Sequence, residues 1–281
     1  MKILRFKMGT ALSGKAMHEI YSLYPTSVWN QFIEQAEQIG THVNNDYVLD
    51  RVETFVLQGY NYNDICCAKE GDVVFDCGAF TGNTALYFAN RVGLKGKVYS
   101  FEAMPLTYKL LCENIQSDNV VKEQYAISDK RKTLHFTANA APDSTIAING
   151  DTIEVPAISI DEYVEERNIG KVDFIKMDIE GSELDGLNGA VKTCRRFHPK
   201  LAICIYHKDS DYIDIPKKIL EINLNYKFYL EHNSNVFWET VLFAFPTDAP
   251  SVKIDIEEEY ASAIQLWNIL AMPLMRSKHF L

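Results

Sequence analysis

Residues 73–84 decide the fold, and they read Val73-Val74-Phe75-Asp76-Cys77-Gly78-Ala79-Phe80-Thr81-Gly82-Asn83-Thr84. The apolar start of this stretch predicts a short buried strand with Asp76 at its carboxyl end. Two glycines then predict a tight turn in which the backbone can approach a ligand, and a helix begins at Asn83. The next apolar run, 97–101, is followed by Glu102, which lies 24 residues after Gly78. Strand, glycine turn, helix, strand and acid form the first half of a nucleotide-binding α/β sheet, in which the acid binds ribose hydroxyls.

The turn also indicates which nucleotide is bound. Its spacing is Gly-x-x-x-Gly, whereas dinucleotide-binding proteins have Gly-x-Gly-x-x-Gly. A carboxylate just before the first glycine would repel a pyrophosphate and would suit a ligand with a cationic end. S-adenosylmethionine therefore fits better than NAD. Its ribose is expected at Glu102, and a side chain at position 78 is expected to intrude on its methionine end. That end should contact the residues of the turn: Asp76, Gly78, Ala79, Thr81 and Gly82.

Composition limits the possible partners. The chain has 281 residues, 47% of them hydrophobic, so it can bury one large core. Its net charge of −10 argues against nucleic acid, because phosphate binding requires a basic face. No run is long and apolar enough for a membrane span.

The six cysteines lack Cys-x-x-Cys spacing, which predicts reduced core thiols in a cytoplasmic protein. The sequence does not determine the oligomeric state.

From residue 72 onward, strand and helix patterns alternate. A terminal pair of strands, 226–230 and 240–245, is separated by too few residues for a parallel crossover and is expected to be an antiparallel hairpin. Five parallel units closed by such a hairpin form the seven-stranded, Rossmann-like sheet of class I methyltransferases. Further strands are predicted over 97–101, 120–127, 134–136, 153–155, 172–177 and 201–206. Helices are predicted over 105–115, 159–166 (opened by a capping box of Ser159 and Glu162), 182–194 and 215–222.

The two ends of the chain differ from this alternating region. Residues 1–65 are predicted to form a helical cap, with helices over 28–39 and 47–57. The central domain is expected over 66–250. Residues 251–281 are predicted to be a helical extension, with an acidic amphipathic helix over 253–270.

A second cluster of polar residues follows the strand predicted over 172–177. Asp178 and Glu180 lie at the carboxyl edge of the sheet, where open α/β sheets bind their ligands. Glu183 is explained by its place in the first turn of a helix, where a carboxylate favours the helix dipole. His207 follows the next strand along the chain. The residues after the third strand, Ala126 and Ile127, are candidates to flank an adenine ring. Ser128 or Asp129 could reach its amino group, although Asp129 fits an ordinary turn equally well.

These segments together resemble the FkbM family of methyltransferases over roughly residues 70–245. The resemblance implies S-adenosylmethionine-dependent methylation of a hydroxyl on a small molecule or glycan, commonly a sugar or a secondary metabolite. The Lys-x-Asp-x-Glu-Gly-x-Glu string combined with Asp-x-Gly-Ala is its most specific part. The residues that carry it are 71–79, 101–105, Asn114, 159–163 and 174–183.

Hydroxyl methylation needs a base, and three candidates lie at strand ends: Asp178, Glu180 and His207. We favour the acidic pair with His207 assisting, since an imidazole has an ordinary pKa suited to proton transfer near neutrality. Asp178 also qualifies as a contact to the methionine part of the cofactor. No metal ligand is assigned, and the less favoured alternative is a divalent cation held by the same three residues.

Two other functions compete with this interpretation. An NAD-dependent oxidoreductase on a similar fold is disfavoured by the glycine spacing and by Asp76. A non-catalytic nucleotide-binding interaction protein is disfavoured because the chain retains both the glycine turn and Glu102.

Overall fold

The structure, a computed structural model, describes residues 54–55, 58–137, 152–223, 225–232 and 240–247. The helices predicted over 28–39 and 253–270 lie outside the described residues, and so does all of 47–57 except 54–55. The predicted domain limits at 65 and 250 therefore stay predictions.

Strands and helices alternate along the described chain as the sequence predicts. The strands are β1 (Val73–Cys77), β2 (Lys97–Phe101), β3 (Val120–Glu123), β4 (Ala126–Ile127), β5 (Lys132–Thr137), β6 (Thr152–Ile158), β7 (Phe174–Met177), β8 (Lys200–Cys204), β9 (Tyr226–His232) and β10 (Thr240–Pro246). The helices are α1 (Asn83–Val92), α2 (Pro105–Asn114), α3 (Ile160–Glu166), α4 (Glu183–Asn188), α5 (Val191–Phe197) and α6 (Asp211–Ile222). The predicted capping box of Ser159 and Glu162 is present at the start of α3.

Seven strands form the main sheet in the order β3-β2-β1-β7-β8-β10-β9. The five strands from β3 to β8 are parallel, and β10 runs antiparallel to both β8 and β9. This arrangement confirms the predicted sheet with its terminal hairpin. The order of the strands along the chain reverses between β1 and β7, and at such a switch point the loops leave a crevice in which open α/β sheets bind ligands.

Both faces of the main sheet are covered, which explains the continuous apolar runs of its strands. Successive residues of a strand point to opposite faces. Phe75, Ile175 and Ile203 belong to one buried cluster, whereas Val74, Phe174 and Ala202 belong to the other. With both faces buried, the polar ends of the strands are the part of the sheet left for a ligand.

Two predicted elements differ from the observed ones. The strand predicted over 120–127 is divided, because β2 ends at Phe101 and leaves β3 without a partner beyond Glu123. Residues 126–127 instead pair with β6 in a second, three-stranded sheet of order β4-β6-β5. The helix predicted over 182–194 is divided at Gly189, where a side chain would overlap the backbone oxygen of Ser128.

Among the described residues, no helix is both long and apolar enough to cross a membrane. The six cysteines are all free, and all but Cys112 are buried.

Candidate active site

The glycine turn after β1 is fixed to both neighbouring strands. The backbone N–H groups of Gly78 and Ala79 donate to the Phe101 carbonyl at the end of β2, each over 2.9 Å. On the other side, the Lys176 ammonium of β7 donates to the Gly78 carbonyl over 2.6 Å. The Asn114 amide at the end of α2 donates to the Thr81 carbonyl over 2.8 Å. The predicted cofactor-binding turn is therefore held from both sides, by the end of β2 and by Lys176 of β7.

Gly78 is required by the protein itself. Its φ of +83° lies in the left-handed region that side chains rarely adopt, and an added Cβ would overlap the backbone carbonyl oxygen of Asp178. The expectation that a side chain here would first meet the ligand therefore needs correction. The first clash is with the loop that carries the predicted catalytic acids, so the two loops pack backbone to backbone at this glycine.

The contact between Gly78 and Asp178 predicts that alanine substitutions at Gly71 and Gly78 lower stability by different amounts, although the two glycines have nearly the same φ. Gly71 has a φ of +82° with no atom within 4 Å of an added Cβ. Gly71→Ala should therefore lower the free energy of unfolding only through backbone strain, by about 1 kcal/mol. Gly78→Ala should lower it by more, up to about 3 kcal/mol, and should also weaken cofactor binding. Chemical denaturation and ligand titration of both variants would measure this. Equal losses of stability at the two positions would show that the loops have room to separate.

Glu102 lies where the sequence places it, just beyond β2, and is 8% exposed. Its carboxylate accepts hydrogen bonds from the backbone N–H groups of Phe80 and Met104, each 2.9 Å long, and from the Thr107 hydroxyl at 2.6 Å. Burial raises the pKa of this carboxyl group, and the three hydrogen bonds oppose that rise. The side chain is thus held in one position before any ligand arrives.

The carboxylate of Glu102 keeps acceptor capacity for a ligand. The Thr107 hydroxyl has one proton and lies within reach of two acceptors, Glu102 Oε1 and the Met104 carbonyl at 3.1 Å. When that proton turns to the Met104 carbonyl, each oxygen of Glu102 has one protein donor and one remaining lone pair. Two lone pairs on separate oxygens match the two hydroxyls of a ribose.

Asp76 is completely buried, and its charge is balanced inside the protein. Its carboxylate accepts from the hydroxyls of Thr84 at 2.9 Å and Ser100 at 3.3 Å, and lies 3.5 Å from the Lys176 ammonium. Burial raises the pKa of Asp76, and Lys176 opposes that rise. Burial lowers the pKa of Lys176, but the attraction of Asp76 and Asp178 outweighs it and the net pKa is raised. The cation that faces Asp76 is therefore Lys176, and a direct contact of Asp76 with the cofactor stays a prediction.

The predicted catalytic residues come together beyond β7 and β8. Asp178 accepts hydrogen bonds from the hydroxyls of Tyr60 at 3.2 Å and Tyr206 at 3.1 Å. His207 Nε2 lies 3.5 Å from Asp178 Oδ1 and 3.5 Å from Glu180 Oε2. The side chains of Asp178 and Glu180 are 23% and 39% exposed, so both carboxylates are accessible from the crevice.

Glu183 belongs to this cluster as well, although the sequence explains it by the helix dipole. It is fully buried, and its Oε1 lies 3.0 Å from His207 Nδ1 and accepts from the backbone N–H of Ile179 over 2.9 Å. Burial lowers the pKa of His207, but Glu183 and then Asp178 and Glu180 raise it to about 9. The expectation of a histidine that titrates near neutrality is therefore wrong, because three carboxylates stabilise the protonated ring.

The residues predicted to contact adenine are enclosed in this structure. Ala126 is 6% and Ile127 2% exposed, and both pair with β6. Asp129 accepts from Lys132 over 2.6 Å and from Ser128 over 3.2 Å, which fits the turn interpretation. Adenine contacts at Ala126 and Ile127 stay predictions.

Sequence reasoning missed the contribution of three residues to the site: Tyr60, Lys176 and Glu183. Lys176 and Glu183 are part of the quoted Lys-x-Asp-x-Glu-Gly-x-Glu string, and a lysine inside an apolar strand was the available signal. Tyr60 lies 118 residues before Asp178, so no local pattern could relate them.

The sheet is open, with a glycine turn after β1, the fixed acid Glu102 after β2 and polar side chains after β7 and β8. Together these features define a class I methyltransferase fold. The model of the methyltransferase FkbM domain matches residues 76–233, more than half of the chain. The chain therefore belongs to the FkbM methyltransferase family, whose cofactor is S-adenosylmethionine.

Two similar proteins extend this comparison. The hexuronic acid methyltransferase AglP of Haloferax volcanii is 29% identical over 167 residues, which cover 56% of this chain and 65% of the relative. The crystal structure of methyltransferase FkbM from Methylobacillus flagellatus KT superposes with a TM-score of 0.50 at 21% identity, covering 76% of this chain and 59% of that one. The chain thus spans less than two thirds of the length of either protein, and the structural likeness shows the fold alone.

The residues of the crevice fit the family's cofactor. Glu102 has two lone pairs for a ribose when the Thr107 hydroxyl donates to the Met104 carbonyl. Asp178 and Glu180 offer partly exposed carboxylates beside the turn, as a cationic ligand requires.

Proposed function

We propose that this protein transfers a methyl group from S-adenosylmethionine to a hydroxyl group of a sugar or glycan. The observation that carries the proposal is the meeting of two loops at Gly78. The turn and Glu102 form the cofactor side of the crevice, and the backbone of Asp178 packs directly against that turn. A donor and an acceptor held on these two loops would be adjacent.

When bound, S-adenosylmethionine supplies a methyl group on a sulfonium centre that an oxygen nucleophile can attack in line. The protein's main contribution is alignment, which supplies about 7–11 kcal/mol in favourable cases. Here the alignment rests on Lys176. Its ammonium donates to the Gly78 carbonyl on the cofactor side and lies 5.4 Å from the centre of the Tyr60 ring. The Tyr60 hydroxyl in turn donates to Asp178 on the acceptor side.

The acceptor hydroxyl must also lose its proton, and we assign that step to Asp178 and Glu180. Their carboxylates are the partly exposed members of the cluster, whereas His207 has a side chain only 9% exposed. His207 lies between them and Glu183, where its positive charge holds the two carboxylates in place.

A sugar acceptor is supported by the relative from Haloferax volcanii, which is named a hexuronic acid methyltransferase. The aromatic residues give more limited support. Tyrosine rings can stack on the faces of sugars, but Tyr226 is buried and its hydroxyl donates to the Pro199 carbonyl over 2.7 Å, so its ring is not available to an acceptor. Tyr206, which is partly exposed beside Asp178, remains in position to contact an acceptor.

The proposal is tested in two stages on the full chain. Calorimetric titrations with S-adenosylhomocysteine and with NAD establish the cofactor, and binding of NAD alone would refute it. Methyl transfer is then followed as S-adenosylhomocysteine formation with uronic acid glycosides and the matching neutral glycosides. Turnover with amine acceptors only would refute the assignment of a hydroxyl acceptor.

Glu102→Ala is expected to weaken S-adenosylhomocysteine binding at least about tenfold, because hydrogen bonds to a charged group contribute roughly 1.5–3 kcal/mol. The matched control is Glu113→Ala, which removes an acid from the exposed surface of α2. Calorimetric titration of folded samples would compare the two. If Glu102→Ala bound as tightly as Glu113→Ala, Glu102 would have no part in cofactor binding.

A further inference from the structure

The cluster around His207 contains more negative charge than its own cations balance. Three carboxylates, those of Asp178, Glu180 and Glu183, lie within 3.5 Å of a single imidazole ring. Of the two lysines close to the cluster, Lys176 is already paired with Asp76, and Lys208 donates to the backbone carbonyl of Gly181. The site therefore favours the binding of an additional positive charge.

Two groups in this cluster lack the hydrogen bonds that burial demands. Glu183 is completely buried, and its Oε2 has no hydrogen-bond partner within the described part of the protein. His207 Nε2 is also buried without a hydrogen bond and lies 3.5 Å from the carboxylates of Asp178 and Glu180, whereas Nδ1 is paired with Glu183 at 3.0 Å. An unsatisfied buried carboxylate oxygen destabilises the folded protein unless a cation or donor reaches it.

The spacing of these groups matches a metal site. One ligand-type atom each from Asp178, Glu183 and His207 can be chosen so that all lie within 4.8 Å of one another. Ligand atoms about 2.0–2.2 Å from one ion are separated by at most about 4.4 Å, so small side-chain rotations bring all three into a coordination shell. The side chain of Asp178 is 23% exposed, which gives an ion a route to the site.

We propose that Asp178, Glu183 and His207 bind one divalent cation, which displaces the proton of the His207 ring so that the neutral imidazole acts as a ligand. Two carboxylates and one imidazole suit ions that accept mixed oxygen and nitrogen ligands, and Mn²⁺ is such an ion. Glu180 lies at the exposed side of the site and adds negative charge. Binding of the ion does not depend on the proposed function. Its use in the reaction does, since an acceptor hydroxyl bound to the ion would become more acidic.

Mn²⁺ binding to the chelator-treated full chain, followed by electron paramagnetic resonance without cofactor or acceptor, tests the proposal. One Mn²⁺ per chain is expected, with affinity lowered at least tenfold in Glu183→Gln and in His207→Ala. Asp209→Asn, an exposed acid two residues after His207, is the matched control and should bind as the wild type does. Mn²⁺ should also raise the melting temperature of the wild type and not that of Glu183→Gln.

The proposal is overturned if the wild type binds no Mn²⁺, or if both site variants bind it with wild-type affinity. If Glu183→Gln does not fold, Asp178→Asn replaces it, because asparagine keeps the shape of the side chain and one acceptor oxygen for one of the two tyrosine hydroxyls. Titration of the same samples with S-adenosylhomocysteine separates the two proposals. Cofactor binding without Mn²⁺ binding refutes only the metal site, and Mn²⁺ binding without methyl transfer to any acceptor refutes only the proposed reaction.

Discussion

Lys176→Met is expected to lower the free energy of unfolding by about 3–5 kcal/mol, because it leaves the buried carboxylate of Asp76 without its cation. Lys176 and Asp76 are 1% and 0% exposed, so water cannot replace the lost partner. The variant also removes the donor to the Gly78 carbonyl, and cofactor affinity should fall with stability. Urea denaturation and titration with S-adenosylhomocysteine would measure the two losses.

The control for this variant is Lys171→Met. Lys171 forms an ion pair with Asp173 at 3.0 Å, but its side chain is 50% exposed, and the expected cost is at most about 1 kcal/mol. The double variant Asp76→Asn, Lys176→Met should recover part of the stability, since it removes both buried charges. Equal costs for Lys176→Met and Lys171→Met would show that Asp76 does not need the lysine.

The second large effect is expected in turnover. The double variant Asp178→Asn, Glu180→Gln should lose about 10²–10⁴-fold in kcat, the usual contribution of a positioned base. Both amides keep the shape of the side chains, and the new amide at position 178 would retain an oxygen for one of the two tyrosine hydroxyls. Affinity for S-adenosylhomocysteine should fall much less than kcat, because Glu102 and the glycine turn are unchanged.

This experiment needs a control for the loss of two negative charges. Asp209→Asn, Glu221→Gln makes the same change at exposed positions and should keep wild-type kcat. Steady-state rates of S-adenosylhomocysteine formation would compare the two double variants. A fully active Asp178→Asn, Glu180→Gln variant would end the assignment of the proton acceptor to these acids.

The parts of the fold that follow from local patterns agree with the sequence predictions. The turn at Gly78, the capping box at Ser159 and the antiparallel hairpin of β9 and β10 each depend on residues close together in the chain. The division of the predicted third strand does not depend on nearby residues. β3 ends where its partner β2 ends, and residues 126–127 pair instead with β6, about 30 residues further along the chain. Sequence periodicity reports which residues are apolar and not which strand is available as a partner.

The candidate site divides in the same way. The sequence by itself determined the family, the position of Glu102 and the placing of Asp178, Glu180 and His207 at strand ends, because parallel strands bring their carboxyl ends to one edge of a sheet. The tertiary structure alone decided their electrostatics. It buried Glu183 against His207 and so raised the pKa of that ring, and it gave Asp76 an internal cation in Lys176. Charge interactions depend on distance and burial in space, and neither is written in the spacing of residues along the chain.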